Sequence, residues 1–201
     1  AEKGFSFQNR DELWEWSVTR LEDFWASIWE FFQVPASHPY STVLAERKMP
    51  GARWFVGAEL NYAQVLLSKA QNNYTALLFQ SEALPLHEIS WAELSQKVNS
   101  VGHFLRALGV QRGDRVVGYL PNIPETVVAF LACASIGAIW SSCSPDFGTR
   151  SVIDRFKQIE PVVLFAVDGY QYNGKIFDRR PVIAELQQAL PNLKKTVLVP
   201  Y

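Results

Sequence analysis

The chain has 201 residues, of which 48% are hydrophobic and 19% are charged, and its net charge is −1. Acidic and basic residues are interspersed, so neither nucleic acid nor a membrane surface is expected as a partner. The longest apolar run, residues 126–140, is shorter than the roughly 20 residues that cross a bilayer. A chain of this length buries about 70% of the surface that it exposes when unfolded, which allows one compact domain or slightly more.

The two cysteines, Cys133 and Cys143, fall on a predicted buried helix and a predicted strand end. The N-terminus lacks the basic-then-apolar order of a secretory signal, and together these features indicate a reduced, cytoplasmic location. The chain begins with Ala1 and stops at Tyr201, just after a strand-like segment. We therefore expect that it is part of a longer polypeptide and that it packs against the rest of that polypeptide.

Residues 9–33 have a helical pattern that opens with a capping box at Asn9 and Glu12 and carries several tryptophans. Their spacing predicts one aromatic face, formed by Trp25, Trp29 and Phe32. Packing against the main domain is favoured over a stacking platform for an adenine base. Residues 34–51 contain three prolines and no clear period, which indicates a linker. We predict a helical extension and linker over residues 1–60, and the first part of a larger domain over residues 61–201.

From residue 61 onward, predicted strands and helices alternate, which favours an α/β fold with a parallel doubly wound sheet, incomplete in this chain. Predicted strands cover residues 76–80, 86–91, 116–120, 138–142, 162–167 and 196–199. Predicted helices cover residues 61–70, 90–108 and 149–159, with a fully apolar helix after Pro124 and another from Pro181.

Residues 113–148 form one strand–helix–strand unit, in which the helix is apolar on every face and must be buried. Ligands of such sheets bind beyond the carboxyl ends of the strands. The unit has two loops at those ends, residues 121–124 and 142–147. We expect the functional site there.

Residues 169–175 match the pattern G-x-x-x-x-G-K after a predicted strand, as a phosphate-binding loop would. Ile176 replaces the magnesium-binding Ser or Thr, and the next helix begins late, so a true nucleotide loop is disfavoured. Lys175, with Arg179 and Arg180 nearby, could still meet a phosphate as point charges, or form a solvated basic loop. No G-x-G-x-x-G follows a predicted strand, which argues against a nicotinamide domain.

Other reactive residues give weaker signals. The three histidines, His38, His87 and His103, lack metal-ligand spacing, so no metal site is expected. Cys143 is interpreted as structural, because no activating histidine is recognisable. Asp146 is expected to cap the following helix rather than to contact a ligand.

Several segments resemble the adenylate-forming acyl-CoA synthetases. The general motifs are Glu-Ile-Ser-Trp-Ala-Glu-Leu at residues 88–94, Gly-Asp-Arg-Val at 113–116 and Ser-Ile-Gly-Ala-Ile at 135–139. Residues 53–63, 140–148 and 172–175 resemble more narrowly the members of the family that activate acetoacetate. The motifs occur in the family's order and span nearly the whole chain.

The resemblance implies a reaction in which ATP, assisted by Mg²⁺, converts acetoacetate to an acyl-adenylate with loss of pyrophosphate. The thiol of CoA then forms acetoacetyl-CoA and releases AMP. The family's Ser/Thr/Gly-rich phosphate loop, its adenine contacts and its late catalytic lysine are not recognisable among these 201 residues. The resemblance therefore implies that this portion alone is inactive and that the ATP and Mg²⁺ sites lie outside it.

By motif position, the segments that approach CoA in related acetyl-CoA synthetases fall on Ser144, Pro145 and Asp146, and on Tyr172 and Lys175. The sequence departs from the acetyl-type pattern there, since Tyr172 and Lys175 replace two arginines, and Pro145 and Asp146 replace two glycines. Two alternatives stay open: a ligase of the same superfamily for another short-chain acid, and a non-catalytic binding module with this fold.

Overall fold

The computed structural model describes residues 4, 6–68, 70 and 74–201. The chain divides into two compact units, residues 1–61 and residues 62–201, which are described separately. Within the described ranges, no helix has both the length and the apolar character needed to cross a membrane.

The first unit begins with two helices, α1 (Arg10–Thr19) and α2 (Leu21–Phe31). The predicted capping box is confirmed, because Asn9 Oδ1 accepts the backbone N–H of Glu12 at 2.9 Å. The helical pattern predicted over residues 9–33 is confirmed, but as two helices. Arg20, with φ −111° and ψ 59°, leaves the helical region and separates the two helices.

The aromatic side chains of α2 pack within their own unit. The Trp29 ring lies 4.6 Å from the Phe55 ring and 5.3 Å from the Tyr40 ring, and the Trp25 ring lies 5.9 Å from Trp54. These spacings are typical of tilted and edge-on aromatic packing. These contacts favour packing over an open stacking platform, but they lie within the first unit, so packing against the main domain stays a prediction.

The predicted linker over residues 34–51 was wrong in part, because it contains a strand. Strand β1 (Thr42–Glu46) pairs antiparallel with β2 (Arg53–Val56). Only one residue of β1, Leu44, is buried, so the strand has no strong apolar alternation that would have revealed it.

The second unit opens with α3 (Tyr62–Ser68), an antiparallel hairpin of β3 (Thr75–Phe79) and β4 (His87–Ser90), and α4 (Trp91–Ala107). The hairpin is separate from the main sheet, although the sequence placed both strands in the parallel alternation. Part of the predicted helix over residues 61–70 lies outside the described residues.

The main sheet consists of four parallel strands in the order β10-β7-β5-β6. The sheet and its helices follow the predicted strand–helix alternation closely. In chain order the remaining elements are β5 (Arg115–Tyr119), α5 (Pro124–Ser135), β6 (Ile139–Cys143), α6 (Thr149–Lys157), β7 (Val163–Val167), β8 (Gly169–Tyr172), β9 (Lys175–Asp178), α7 (Arg180–Ala189) and β10 (Lys195–Val199).

Alternate residues of the central strands point to opposite faces of the sheet, and each face has its own apolar core. Val116, Val163 and Phe165 pack with residues of α4 and α5 on one face. Val117 and Leu164 pack with residues of α6 and α7 on the other. Helices on both faces of a parallel sheet make the fold doubly wound, as predicted.

The first face carries an open groove of about 460 Å³, which we call the sheet-face groove. It lies between α4, α5 and the strands β7 and β10. Its apolar lining is Val101, Val128, Ala129, Phe165, Val197 and Val199.

Candidate functional site

The carboxyl ends of β5, β6 and β7 lie along one edge of the sheet. After β5 the chain crosses to β6 on one side, and after β7 it continues to β10 on the other. The change of direction between β5 and β7 is the position at which open α/β sheets bind ligands. A cavity of about 490 Å³, slightly larger than the sheet-face groove, lies at the opposite edge of the sheet, beside Glu160 and Pro161. The amino ends of the strands meet there, and ligands are not expected at that edge.

The segment that follows β6, residues 144–148, is held from two sides; we call Ser144, Pro145 and Asp146 the elbow. The Tyr119 hydroxyl, on the fully buried end of β5, donates to the Pro145 carbonyl at 2.9 Å. The Ser144 hydroxyl donates to Asp146 Oδ2 at 3.0 Å. The elbow therefore has a defined shape that β5 itself maintains.

Asp146 does not cap α6, so that expectation was wrong. The N-cap of α6 is Gly148, and no side chain accepts a hydrogen bond from the first turn. The Asp146 carboxylate is used instead by the hydroxyls of Ser144 and Tyr170. Asp146 lies two residues before the N-cap, and its two oxygens bind side chains of the elbow and of β8 instead of the first turn of the helix.

The predicted basic loop is a tight β-hairpin, formed by β8 and β9. Tyr172 and Lys175 are paired across the two strands, and Asn173 and Gly174 between them have φ values of 50° and 72°. Positive φ at both central residues is typical of a type I′ turn, for which Asn-Gly is the strongest sequence signal. That signal was present and was obscured by the match to a phosphate-loop pattern.

The backbone N–H groups at the tip of this hairpin already have a partner. Glu82, in the loop between β3 and β4, accepts the N–H of Asn173 at 2.7 Å and that of Gly174 at 2.8 Å through its two carboxylate oxygens. Strand β9, not a helix, directly follows Gly174, and the tip amides bind a carboxylate of the chain itself. The segment is therefore not a phosphate-binding loop of the G-x-x-x-x-G-K type. The sequence had already argued against such a loop.

Lys175 and Tyr172 are both exposed, and Tyr172 keeps 65% of its surface. Because paired residues of an antiparallel ribbon project to the same face, the phenol ring and the ammonium group lie side by side. Arg180, which the sequence grouped with Lys175, is instead bound to Asp178, with Nη2 2.8 Å from Oδ2. The structure thus separates the two cations.

The third grouped cation, Arg179, belongs to a network that sequence reasoning missed. The Tyr170 hydroxyl donates to Asp146 Oδ1 and accepts from Arg179 Nη2 at 2.9 Å. The Arg179 guanidinium also lies over the rings of Tyr170 and Phe177, 5.1 and 5.6 Å from their centroids. Burial is the main reason that the pKa of Tyr170 is raised, and the hydrogen bond to Asp146 raises it further. The residues are 24 and 9 positions apart, so no local pattern could have revealed them.

The cysteines are structural, as interpreted from the sequence. Both are buried, and burial raises the pKa of Cys133 to about 12 and also raises that of Cys143. Thiols in that state are poor nucleophiles at neutral pH. Within residues 6–68 and 74–201, no three His, Cys, Asp or Glu side chains are grouped so that they could hold a metal ion.

Comparison with known proteins gives two family matches. Residues 67–201 match the AMP-binding enzyme family, and residues 10–65 match the N-terminal region of acetyl-coenzyme A synthetases. The first match alone covers more than half of the chain.

Individual relatives agree. Acetoacetyl-CoA synthetase of Macaca fascicularis is 43% identical over 98% of this chain, and that of Rhizobium meliloti is 41% identical over the same share. The structure of acetoacetyl-CoA synthetase from Streptomyces lividans superposes with a TM-score of 0.92 and 50% identity, covering 98% of this chain and 31% of that one. The chain spans about 30% of the length of the curated relatives that it matches. The family match, the relatives and the doubly wound sheet agree, and the chain belongs to the AMP-binding enzyme family.

Proposed function

We propose that the chain is the amino-terminal part of an ATP-dependent acid–thiol ligase that makes acetoacetyl-CoA, AMP and pyrophosphate from acetoacetate, ATP and CoA. The observation that carries the proposal is 41–43% identity to acetoacetyl-CoA synthetases across 98% of the chain. In the proposed reaction the carboxylate first attacks ATP to give an acyl-adenylate, and the CoA thiol then displaces AMP. The 201 residues alone are proposed to be inactive, and the ATP and Mg²⁺ sites to lie on other residues of the enzyme.

The proposed role of this portion is to hold CoA at the rim of the sheet. Tyr172 offers an aromatic face on which an adenine ring can stack, and Lys175 offers a point charge for a phosphate. Because Glu82 occupies the amides at the hairpin tip, an anion there would be bound by side chains such as that of Lys175 rather than by these backbone N–H groups. The elbow, Ser144 to Asp146, would line the other side of the CoA path.

A second candidate is a ligase of the same kind for another short-chain acid. Malonamoyl-CoA synthetase of Penicillium aethiopicum is 35% identical over 98% of this chain. Identity to the acetoacetyl-CoA synthetases is higher, which supports acetoacetate as the substrate. We also propose a cytoplasmic location for the enzyme, where two free buried thiols would stay reduced.

The full-length enzyme tests the reaction directly. We expect acetoacetate to support ATP–pyrophosphate exchange without CoA, and CoA to convert the adenylate to thioester with release of AMP. Malonamate and acetate serve as competing acids. Exchange with malonamate but not acetoacetate would favour the second candidate, and exchange with no acid would favour a non-catalytic module.

The role of Lys175 is tested by Lys175→Glu in the same full-length enzyme. We expect the KM for CoA to rise about tenfold, because a cation near a phosphate is replaced by an anion. The exchange reaction, which does not use CoA, should keep its rate. Lys195→Glu is the matched control, because this exposed lysine begins β10 at the opposite end of the sheet. An unchanged KM for CoA in Lys175→Glu would contradict CoA contact by this residue.

A further inference from the structure

Tyr170 joins two segments that are distant in sequence. Its hydroxyl lies between the Asp146 carboxylate, on the elbow, and the Arg179 guanidinium, at the end of the β8–β9 hairpin. Both hydrogen bonds involve a charged partner, and such bonds are roughly twice as strong as those between neutral groups. This one hydroxyl therefore connects the elbow to the hairpin.

The Tyr170 side chain itself is fixed. It is only 8% exposed, and its ring is stacked on that of its cross-strand partner Phe177, with the centroids 5.1 Å apart and the planes 18° from parallel. The Arg179 guanidinium covers both rings. A hydroxyl on a ring held in this way has little freedom to move. Its hydrogen bonds therefore fix the position of the hairpin relative to the elbow.

The hairpin needs such a connection. Two-stranded ribbons are marginally stable on their own, and among the strands that the structure describes, β8 and β9 pair with no other strand. Tyr172 follows Tyr170 by two residues in β8, so both project to the same face, with Lys175 and Phe177 as their partners. A shift at Tyr170 is thus carried along one face to the tip.

The elbow is anchored independently of the hairpin. The buried Tyr119 hydroxyl holds the Pro145 carbonyl, and Ser144 holds the second oxygen of Asp146. The position of the elbow is therefore set by β5, and the hairpin is positioned against it through Tyr170.

We propose that Tyr170 is a positioning residue, which sets the distance between the elbow and the Tyr172–Lys175 pair and so shapes the CoA path. The proposal rests on the proposed function. Tyr170 itself need not touch CoA, since its hydroxyl is occupied by Asp146 and Arg179.

The test is Tyr170→Phe in the full-length enzyme, which removes the hydroxyl and keeps the stacked ring. We expect the KM for CoA to rise roughly five- to tenfold, as loss of a charged-partner hydrogen bond would allow. Acetoacetate-dependent ATP–pyrophosphate exchange and the KM for ATP should stay unchanged. Tyr74→Phe is the control, because Tyr74 is 63% exposed and its hydroxyl makes no hydrogen bond with the described residues.

A double-mutant cycle separates positioning from simple loss of stability. If Tyr170 acts through Lys175, Tyr170→Phe will have little further effect on the KM for CoA in a Lys175→Ala background. Independent, multiplicative effects would overturn the proposal, as would an unchanged KM for CoA in Tyr170→Phe alone. If the unaltered enzyme shows no acetoacetate-dependent exchange, the ligase proposal fails; normal exchange with an unchanged KM overturns only the role of Tyr170.

Discussion

Two buried glycines show how the surroundings of one residue decide what a methyl group does there. A Cβ on Gly118, in the central strand β5, would lie 2.6 and 2.7 Å from two ring carbons of Trp140. A Cβ on Gly102, inside α4, would lie 3.4 Å from Ser135 Oγ, which is an ordinary contact. The first glycine is needed for space, whereas the second costs the helix stability.

Alanine should therefore have opposite effects at these two positions. We expect Gly118→Ala to lower the free energy of unfolding by about 1–3 kcal/mol, because it overpacks the core. Gly102→Ala should raise it by up to about 1 kcal/mol, because alanine is the better helix former. Chemical denaturation of both variants measures the difference. A Gly118→Ala protein as stable as the parent would show that Trp140 can move aside at no cost.

Asp178 is an exposed carboxylate with a strongly lowered pKa. Hydrogen bonds from the Arg180 side chain, and then from its backbone N–H, lower the pKa of Asp178 to about 2. Because the folded-state pKa is below the ordinary 3.8, its contribution to stability is present above about pH 4 and is lost as the pH falls toward 2. The size of the contribution is limited by solvent screening.

This local pair gives a titration that NMR can follow. We expect the Asp178 carboxyl signal to titrate near pH 2, and at a higher pH, closer to the ordinary value of 3.8, in Arg180→Gln, because that variant loses the guanidinium and keeps the backbone hydrogen bond. Arg179→Gln is the control, because Arg179 faces Tyr170 rather than Asp178. If Asp178 titrated at its ordinary value in the unaltered protein, the pair would be broken in solution.

At the scale of elements, the regular α/β elements and the strands β3 and β4 were predictable, whereas the β1–β2 and β8–β9 hairpins were not. Strand β7 is a continuous apolar run, and the N-cap of α4 is Ser90, whose hydroxyl accepts the Glu93 N–H at 3.2 Å as the capping box predicts. The strands β1, β2, β8 and β9 are short and half exposed, so apolar periodicity carries little information about them. The same applies to the candidate site: motif positions could be read from the sequence, but the Tyr170 network depends on tertiary contacts.

The hairpin tip provides a test of one such tertiary contact. We expect Glu82→Gln to increase amide hydrogen exchange at Asn173 and Gly174 several-fold, because a charged acceptor of both N–H groups becomes a neutral amide. Glu88→Gln, on the same β3–β4 hairpin, is the control; its carboxylate binds Thr75 instead. Equal exchange at the two tip amides in Glu82→Gln and the unaltered chain would mean that the turn protects them without Glu82.

For the molecule as a whole, the main consequence of the fold is an open apolar surface beside β10. Val197 and Val199 line the sheet-face groove, and Leu198, which is 53% exposed, projects to the other face of the same strand. Exposed apolar patches bind dyes and promote association. The 201-residue chain studied alone should show both effects.

A matched pair of substitutions locates that surface. We expect Val199→Lys to reduce the fluorescence of the apolar dye ANS bound to the 201-residue chain, because a charge enters the groove. Leu198→Lys adds the same charge to the opposite face of β10 and should reduce the signal less. A larger decrease with Leu198→Lys would place the dye-binding surface on the α7 side of the sheet.

The strand order also determines how long one edge of β5 stays unpaired while the chain is being synthesised. β5 is the inner neighbour of β7, yet Val116 pairs with Val163, so more than forty further residues must be translated before that edge is complete. At about 5–20 residues per second, this takes roughly 2–10 seconds. Throughout that interval the nascent chain presents an unpaired, apolar strand edge, which is the kind of surface that ribosome-bound chaperones cover and neighbouring chains attack. The order β7-β5-β6 thus leaves this edge of β5 without its neighbour until β7 has been synthesised.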